Sequence, residues 1–314
     1  MGRRQLLDFL IGDEGIFLPT PTRQLYLCAG CQSSGSTLVS WCFLQRSDMD
    51  GVLDARFDMI PQVPRNLKRP LAWVKFTVAC FRFSEVAAYL EDEGWGIRPL
   101  LVVRDARAVF NSLITKPYGR NGTTADDPPI RLRLRRFLED WRMFHDRGWP
   151  VVRYEDLIVE PEKTLKDACA ALELPWDDAM LNWPKAESDI ADASFGNPTF
   201  VQSRGVGIRQ TLRPSLGAVK TGNIPPADLE WLEREFGEMN QALGYAEHVT
   251  GGQSRSEVAR AVPRFENTRR YERLRRKNRL GRYLRVARNA LTGIITREPR
   301  RDAAQSPDPL PGSH

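Results

Sequence analysis

The run Gly30-Cys31-Gln32-Ser33-Ser34-Gly35-Ser36-Thr37 constrains this chain more than any other stretch, because it joins two segments of different secondary structure. Before it, Leu25-Tyr26-Leu27-Cys28-Ala29 is an apolar run of the length of a buried strand; after it, Ser36 to Leu44 reads as a helix. The loop therefore sits at a helix N-terminus, where backbone N–H groups converge and the helix dipole is positive, a geometry that holds phosphate. Its spacing is that of the nucleotide P-loop, G-x-x-x-x-G-K-[ST], with Ser36 in the position of the lysine. That lysine neutralises the β- and γ-phosphates of a triphosphate. Its replacement points away from ATP or GTP turnover and toward a different phosphate-bearing ligand. Taken alone, a Gly/Ser-rich structural turn is the competing reading.

The segments that follow supply a sheet around this loop. Asp48 to Arg69 reads as irregular, with Pro61, Pro64 and Pro70 as breakers, and residues 1–24 form a polar lead-in without assignment. Leu71 to Phe76 reads as a second buried strand with Lys75 at its end, and Ser84 as the N-cap of a helix running from Glu85 to Glu93. Arg98 to Asp105 is the clearest strand, since the consecutive apolar residues Leu100, Leu101, Val102 and Val103 bury both faces as in a parallel sheet. It runs into a helix from Ala106 to Leu113. An amphipathic helix over Ile130 to Arg147, a strand over Trp149 to Glu155 and a helix over Pro161 to Leu172 come next, with Pro161 suited to a first turn. Residues 177–225 lack a period, which makes them a functional or disordered loop, and Asp228 to Leu243 reads as helix. This alternation predicts a doubly wound α/β fold with a mainly parallel sheet and helices on both faces. The loop 30–37, Lys75 and Arg104 then share the rim at the C-terminal strand ends, where such sheets bind ligands.

Charge divides the 314 residues into two parts: residues 251–314 hold 16 Lys and Arg against 6 Asp and Glu, leaving 30 against 34 in residues 1–250. Any attraction to an anionic partner belongs to the tail. The 5 cysteines are odd in number and lie in apolar surroundings, as in a reducing cytosol. Cys28-x-x-Cys31 precedes a helix as redox pairs do, but the Gly-Ser-Thr chemistry beside it explains the segment better. The N-terminus has no long apolar core of a secretion signal and no acylation pattern, and no stretch reaches the length of an apolar membrane span, so a cytoplasmic location is expected.

Several matched segments between Leu25 and Tyr245 together resemble the sulfotransferase family, which transfers a sulfuryl group from 3′-phosphoadenosine 5′-phosphosulfate to a hydroxyl or amine. Gln32-Ser33-Ser34-Gly35-Ser36-Thr37-Leu38 is similar to the family's 5′-phosphosulfate loop. Arg104-Asp105-Ala106-Arg107-Ala108-Val109-Phe110-Asn111-Ser112 resembles its 3′-phosphate motif, which implies that Arg104 and Ser112 bind that phosphate. A strand-end arginine and a hydroxyl on the next helix can converge on one phosphate, in keeping with that implication. Arg153-Tyr154-Glu155-Asp156-Leu157 resembles a segment that is chiefly structural in the family, so its acids are read as orienting backbone or Arg153. The basic stretch from Arg213 to Lys220 is similar to the loop that folds over the donor in bacterial members, which brings Arg213 and Lys220 into the donor site.

The resemblance also has departures. Ser33 stands where the family has a lysine or arginine that stabilises the bridging oxygen of the leaving phosphate. Thr77 stands where a Lys-x-His pattern would place a histidine base after Lys75, and His145, His248 and His314 lie far from the loop in sequence. Lys75 is then the candidate catalytic cation at the transferred group, and Asp54 or Asp58, otherwise solvated loop acids, are candidates for the base. No cluster has metal-ligand spacing, and the reaction needs no metal in this family. A carbohydrate or glycoconjugate acceptor is implied by resemblance to bacterial members. A catalytically inactive binding module and a P-loop phosphotransferase remain the alternatives, the second lacking its lysine.

The tail has no counterpart in the resemblance. From Arg279 to Ile295, Leu280, Leu284, Ala287, Leu291, Ile294 and Ile295 recur at helical spacing with Arg282, Arg285 and Arg288 elsewhere on the wheel. Such a basic amphipathic helix suits packing on the body, a second subunit, or peripheral attachment to the anionic inner leaflet of a membrane. Nucleic acid fits less well, because the tail has few aromatic residues and the body is not basic. Residues 1–250 are thus expected to form the α/β domain and 251–314 a basic helical tail.

Overall fold

The structure is a computed structural model that describes residues 23–55, 60–64, 67–115, 130–193, 205–212 and 223–245. Its centre is β1 (Arg23–Cys31), which pairs in parallel with β3 (Leu71–Val78) on one side and β4 (Trp95–Val103) on the other. The edge strands β2 (Met49–Ala55) and β5 (Val151–Arg153) complete a five-stranded, all-parallel sheet in the order β2-β3-β1-β4-β5. Both faces of β1 are apolar, so both must be covered. Leu25, Leu27, Ala29 and Cys31 belong to one core, and Tyr26 and Cys28 to the other.

The first core is closed by α2 (Phe83–Asp92), α3 (Ala106–Thr115), α4 (Ile130–Asp146) and α9 (Pro226–Ala242). The second is closed by α1 (Ser36–Leu44), α5 (Tyr154–Val159), α6 (Pro161–Ala171), α7 (Ala179–Asn182) and α8 (Gly207–Thr211). This is the doubly wound arrangement expected from the alternation of strands and helices. Helix α9 is fixed to α4 by ion pairs of Arg131 with Asp228 and Arg135 with Glu235, while the Arg131 and Arg135 guanidinium groups lie over the Trp231 ring. Among the described residues no helix is long and apolar enough to cross a membrane.

Four local expectations are corrected. Residues 49–55 form β2 instead of an irregular segment; with Asp50, Gly51 and Asp54 among its residues, this strand has no apolar period to announce it. Its outer edge is protected: Leu53 N–H donates to the Asp192 carbonyl (2.9 Å) and Asp192 N–H donates to the Gly51 carbonyl (3.0 Å). The strand expected over Trp149 to Glu155 is only Val151–Arg153, because the chain turns into α5 at Tyr154. Ser84 lies inside α2, whose first turn is capped by other groups: Arg82 N–H donates to Glu85 (3.1 Å) and Phe83 N–H to Asp140 (2.9 Å). Finally, residues 177–225 include α7, α8 and a short 3-10 turn at Glu187–Asp189.

Burial pushes the thiols of Cys28 and Cys31 up to about 12, which removes the thiolate that redox exchange needs. It also raises the carboxyl of Asp140 to about 7, against the lowering effect of the Phe83 N–H. For an acid whose folded pKa lies above its unfolded value, the associated stability is present at low pH and lost as pH rises through the folded pKa. Asp140→Asn keeps an acceptor for Phe83 without a buried charge. The variant and the wild type should have similar melting temperatures near pH 4, and the variant should be the more stable above pH 8 by on the order of a few kcal/mol. Parallel melting curves across that range would contradict this assignment of Asp140.

Candidate functional site

The loop after β1 reverses the chain within four residues, from Cys31 to Ser36. This sharp turn needs left-handed backbone at Ser33 (φ 70°) and Gly35 (φ 89°), and it is closed by Ser34 N–H donating to the Cys31 carbonyl at 3.0 Å. At Gly35 a side chain is excluded twice, by φ and by space, since a Cβ there would lie 2.2 Å from Cδ2 of Tyr154. Gly30 is required for a different reason. A Cβ on it would lie 2.5 Å from Ser34 Oγ and 2.7 Å from Ser36 Cβ, so the loop folds directly back over its α-carbon.

Gly35 is the N-cap of α1 and has no side chain to cap it, so the N–H groups of Ser36 and Thr37 have neither an intrahelical acceptor nor a side-chain cap. Ser34 Oγ is buried with no hydrogen-bond partner among the described residues. Neutral donors at a helix N-terminus fit an anionic group such as a phosphate. The first turn of α1 and the hydroxyls of Ser36 and Thr37 are the residues that would hold it.

Arg104 leaves the end of β4 and meets this loop. Its Nη1 donates to the Ser33 carbonyl at 3.2 Å, and its guanidinium lies 4.5 Å from the centre of the Tyr154 ring. Tyr154 therefore touches both Gly35 and Arg104, joining the two segments read separately in the sequence. The next residues are pinned firmly. Glu155 accepts from Asp105 N–H (3.1 Å) and from the Tyr245 hydroxyl (2.8 Å), and Asp105 pairs with Arg107, which also reaches Glu233 at 3.3 Å. Asp156 pairs with Arg153 at 3.3 Å. Ser112 is half-buried, two turns along α3.

Lys75 does not end a strand, because β3 continues to Val78, and it is buried instead of reaching into solvent. Its Nζ lies 2.6 Å from Asp54 Oδ1 and 3.0 Å from Thr77 Oγ1. Asp54 is likewise not a solvated loop acid: its side chain is only 17% exposed and its other oxygen accepts from Thr37 Oγ1 at 3.3 Å. The register explains the meeting. Val52 pairs with Val74 and Ala55 with Phe76, so β2 carries one extra residue and both Leu53 and Asp54 stand opposite Lys75. A row of polar groups, Thr77–Lys75–Asp54–Thr37, thus connects β3 to the first turn of α1.

Arg133 was not legible as a site residue. It lies in an Arg-rich turn of α4 that reads as a polar helix face, yet it is 1% exposed and its guanidinium donates to Gln32 Oε1. No spacing in the sequence links residues 32 and 133. His145 is at the exposed end of α4, beside Asp146 at 3.7 Å. Asp58, Arg213, Lys220, His248, His314 and the helix expected over 279–295 lie outside the described residues.

No protein-family model matches the chain. Over 101 residues, 31% of this chain and 27% of the relative, it is 26% identical to protein-tyrosine sulfotransferase A of Caenorhabditis elegans, so the match spans about a quarter of that protein. Among solved structures, the sulfotransferase domain of the Synechococcus PCC 7002 olefin synthase superposes with a TM-score of 0.50 at 17% identity, covering 73% of this chain and 98% of the domain. The sulfotransferase domain of the curacin biosynthetic pathway gives 0.46 at 13% identity, covering 71% and 98%. The fold is that of a sulfotransferase domain.

The contact of Tyr154 with the Gly35 α-carbon is open to direct test. Gly35→Ala should destabilise the protein by about 2–4 kcal/mol, the sum of left-handed strain and overpacking. Denaturant unfolding of Gly35→Ala, Tyr154→Ala and the double variant checks the cause. The second truncation should recover part of the loss; additive losses would place the strain elsewhere.

Proposed function

We propose that this chain, with its sulfotransferase fold, transfers a sulfuryl group from 3′-phosphoadenosine 5′-phosphosulfate to a hydroxyl or amine acceptor. The observation that carries the reading is the junction of the loop 32–37 with Arg104 through Tyr154, which brings a helix N-terminus and a strand-end guanidinium to one rim of the sheet. In this reading the first turn of α1, with the hydroxyls of Ser36 and Thr37, holds the 5′-phosphate, and Arg104 with Ser112 holds the 3′-phosphate. Arg213 and Lys220 are proposed to close over the donor.

The transfer is an in-line displacement. A bond forms between the acceptor oxygen and sulfur as the bond from sulfur to the 5′-phosphate oxygen breaks, releasing adenosine 3′,5′-bisphosphate. Catalysis in such a reaction comes mainly from positioning and from stabilising charge on the leaving group. Lys75 is the proposed cation at the transferred group. Asp54, held 2.6 Å from Lys75, is the proposed acceptor of the hydroxyl proton. Carbohydrate is the proposed acceptor class. A tyrosine hydroxyl is the second reading, favoured by the local match to a protein-tyrosine sulfotransferase.

Transfer of a radiolabelled sulfuryl group to a panel of glycans, tyrosine peptides and phenols tests the reading, and binding of adenosine 3′,5′-bisphosphate without transfer would instead support an inactive module. Arg104→Ala should weaken adenosine 3′,5′-bisphosphate by the worth of a charge-assisted hydrogen bond, about 1.5–3 kcal/mol, and leave AMP almost unchanged. Equal losses for both ligands in calorimetric titrations would put Arg104 outside the 3′-phosphate site. Lys75→Ala should lower kcat by about 100-fold or more with bisphosphate affinity held within a few-fold, as for an interaction made in the transition state. Wild-type turnover in that variant would remove Lys75 from the mechanism.

A further inference from the structure

The loop Gln32–Thr37 contains no basic side chain, although it precedes an uncapped helix N-terminus and is read above as the site of a 5′-phosphosulfate. Besides Arg104, which donates to the Ser33 carbonyl from the end of β4, two cations approach it from opposite faces of the sheet. Lys75 comes from the α1 side and is paired with Asp54 at 2.6 Å. Arg133 comes from the α4 side and donates to Gln32 Oε1 inside the loop. Burial pushes the Cys31 thiol up, and the Arg133 charge is the foremost influence opposing that rise.

Arg133 cannot drift from this place. Helix α4 is anchored two residues earlier by the Arg131–Asp228 ion pair and three residues later by Arg136, whose Nη1 donates to the carbonyls of Ala79 (2.8 Å) and Cys80 (2.9 Å). At 1% exposure its charge is screened by little water, so its potential extends into the loop far more strongly than that of a surface arginine. Burying a guanidinium is costly, and a site that binds an anion gains from it. Ser34 Oγ is buried in the same loop and has no hydrogen-bond partner among the described residues.

We propose that Arg133 supplies, from α4, the positive charge that the loop's own sequence lacks, and that it acts as a positioning residue for the donor's 5′-phosphate group by holding Gln32 and raising the potential at the loop. The inference rests on the donor reading given above. It divides the labour between two arginines: Arg104 answers to the 3′-phosphate and Arg133 to the 5′-phosphate.

Calorimetric titration of the full-length chain with adenosine 3′,5′-bisphosphate, AMP and adenosine 3′-monophosphate separates these roles without knowledge of the acceptor. Arg133→Gln should weaken both ligands carrying a 5′-phosphate by about 10-fold or more, the scale of a charge-assisted interaction, and leave adenosine 3′-monophosphate within about two-fold. Arg133→Lys, which keeps the charge, should recover most of that loss. Gln32→Ala, which releases the guanidinium without emptying the core, should show the same ligand selectivity at smaller amplitude and carries the test if Arg133→Gln does not fold. Equal weakening of the 5′- and 3′-monophosphates, or unchanged affinity in Gln32→Ala and Arg133→Gln, overturns the proposal. A wild type that binds no adenosine 3′,5′-bisphosphate overturns the donor reading itself and this inference with it, whereas wild-type binding with unselective Arg133 variants overturns this inference alone.

Discussion

The parallel pairing of β1 on both edges is the constraint on which the remaining structure depends. The strand is bonded to β3 on one side and β4 on the other from Leu25 to Gly30, and its two apolar faces demand a helical layer on each. The chain leaving β1 at Cys31 can only turn upward at the rim and fall back as α1. That turn is what forces left-handed backbone at Ser33 and Gly35, and what aims the first turn of α1 at the ends of the neighbouring strands. Arg104 arrives at the same rim because β4 is the other partner of β1. The meeting of the loop with Arg104 is therefore a consequence of the sheet order as much as of the loop's composition.

Charge at the rim is organised by burial. Lys75 is inside the α1-side layer and is neutralised by Asp54, whose own position depends on the extra residue in β2. Breaking one partner of such a pair leaves an uncompensated buried charge, which is why the two act as a unit. Asp105 and Arg107 form a second buried pair that fixes the start of α3, and Glu155 ties the Asp105 backbone to Tyr245 at the end of the described chain. Apart from Asp105–Arg107, these polar connections run between segments far apart in sequence. They hold the rim to one geometry without any of them belonging to the loop.

At the opposite end of α1, Lys185 performs a related task. Its ammonium is buried and donates to the carbonyls of Leu44 (2.7 Å), Met49 (2.9 Å) and Arg46, satisfying the last turn of the helix whose first turn faces the site. Burial and the neighbouring Arg69 charge lower its pKa to about 8. Asp50 binds the adjacent backbone at Gly51 and Ala191, each at 2.9 Å. The segment 185–193 is in this way the covering of the sheet edge and the C-terminal support of α1 at once.

What the sequence determined by itself is what local pattern encodes: the apolar runs of β1, β3 and β4, the helix after the Gly/Ser loop, and the alternation that requires a doubly wound sheet with the loop and Arg104 at one rim. Each of these follows from interactions among residues close in the chain, or from burial that a run of apolar residues must satisfy. Tertiary structure alone decided that residues 49–55 are an edge strand, that Lys75 is buried against Asp54, that Tyr154 joins Gly35 to Arg104, and that Arg133 reaches Gln32. Those outcomes depend on a one-residue register shift and on contacts spanning up to 119 positions of chain, from Gly35 to Tyr154. A side chain's partner across such a separation is set by which elements the sheet order brings together, and no spacing along the chain carries that information.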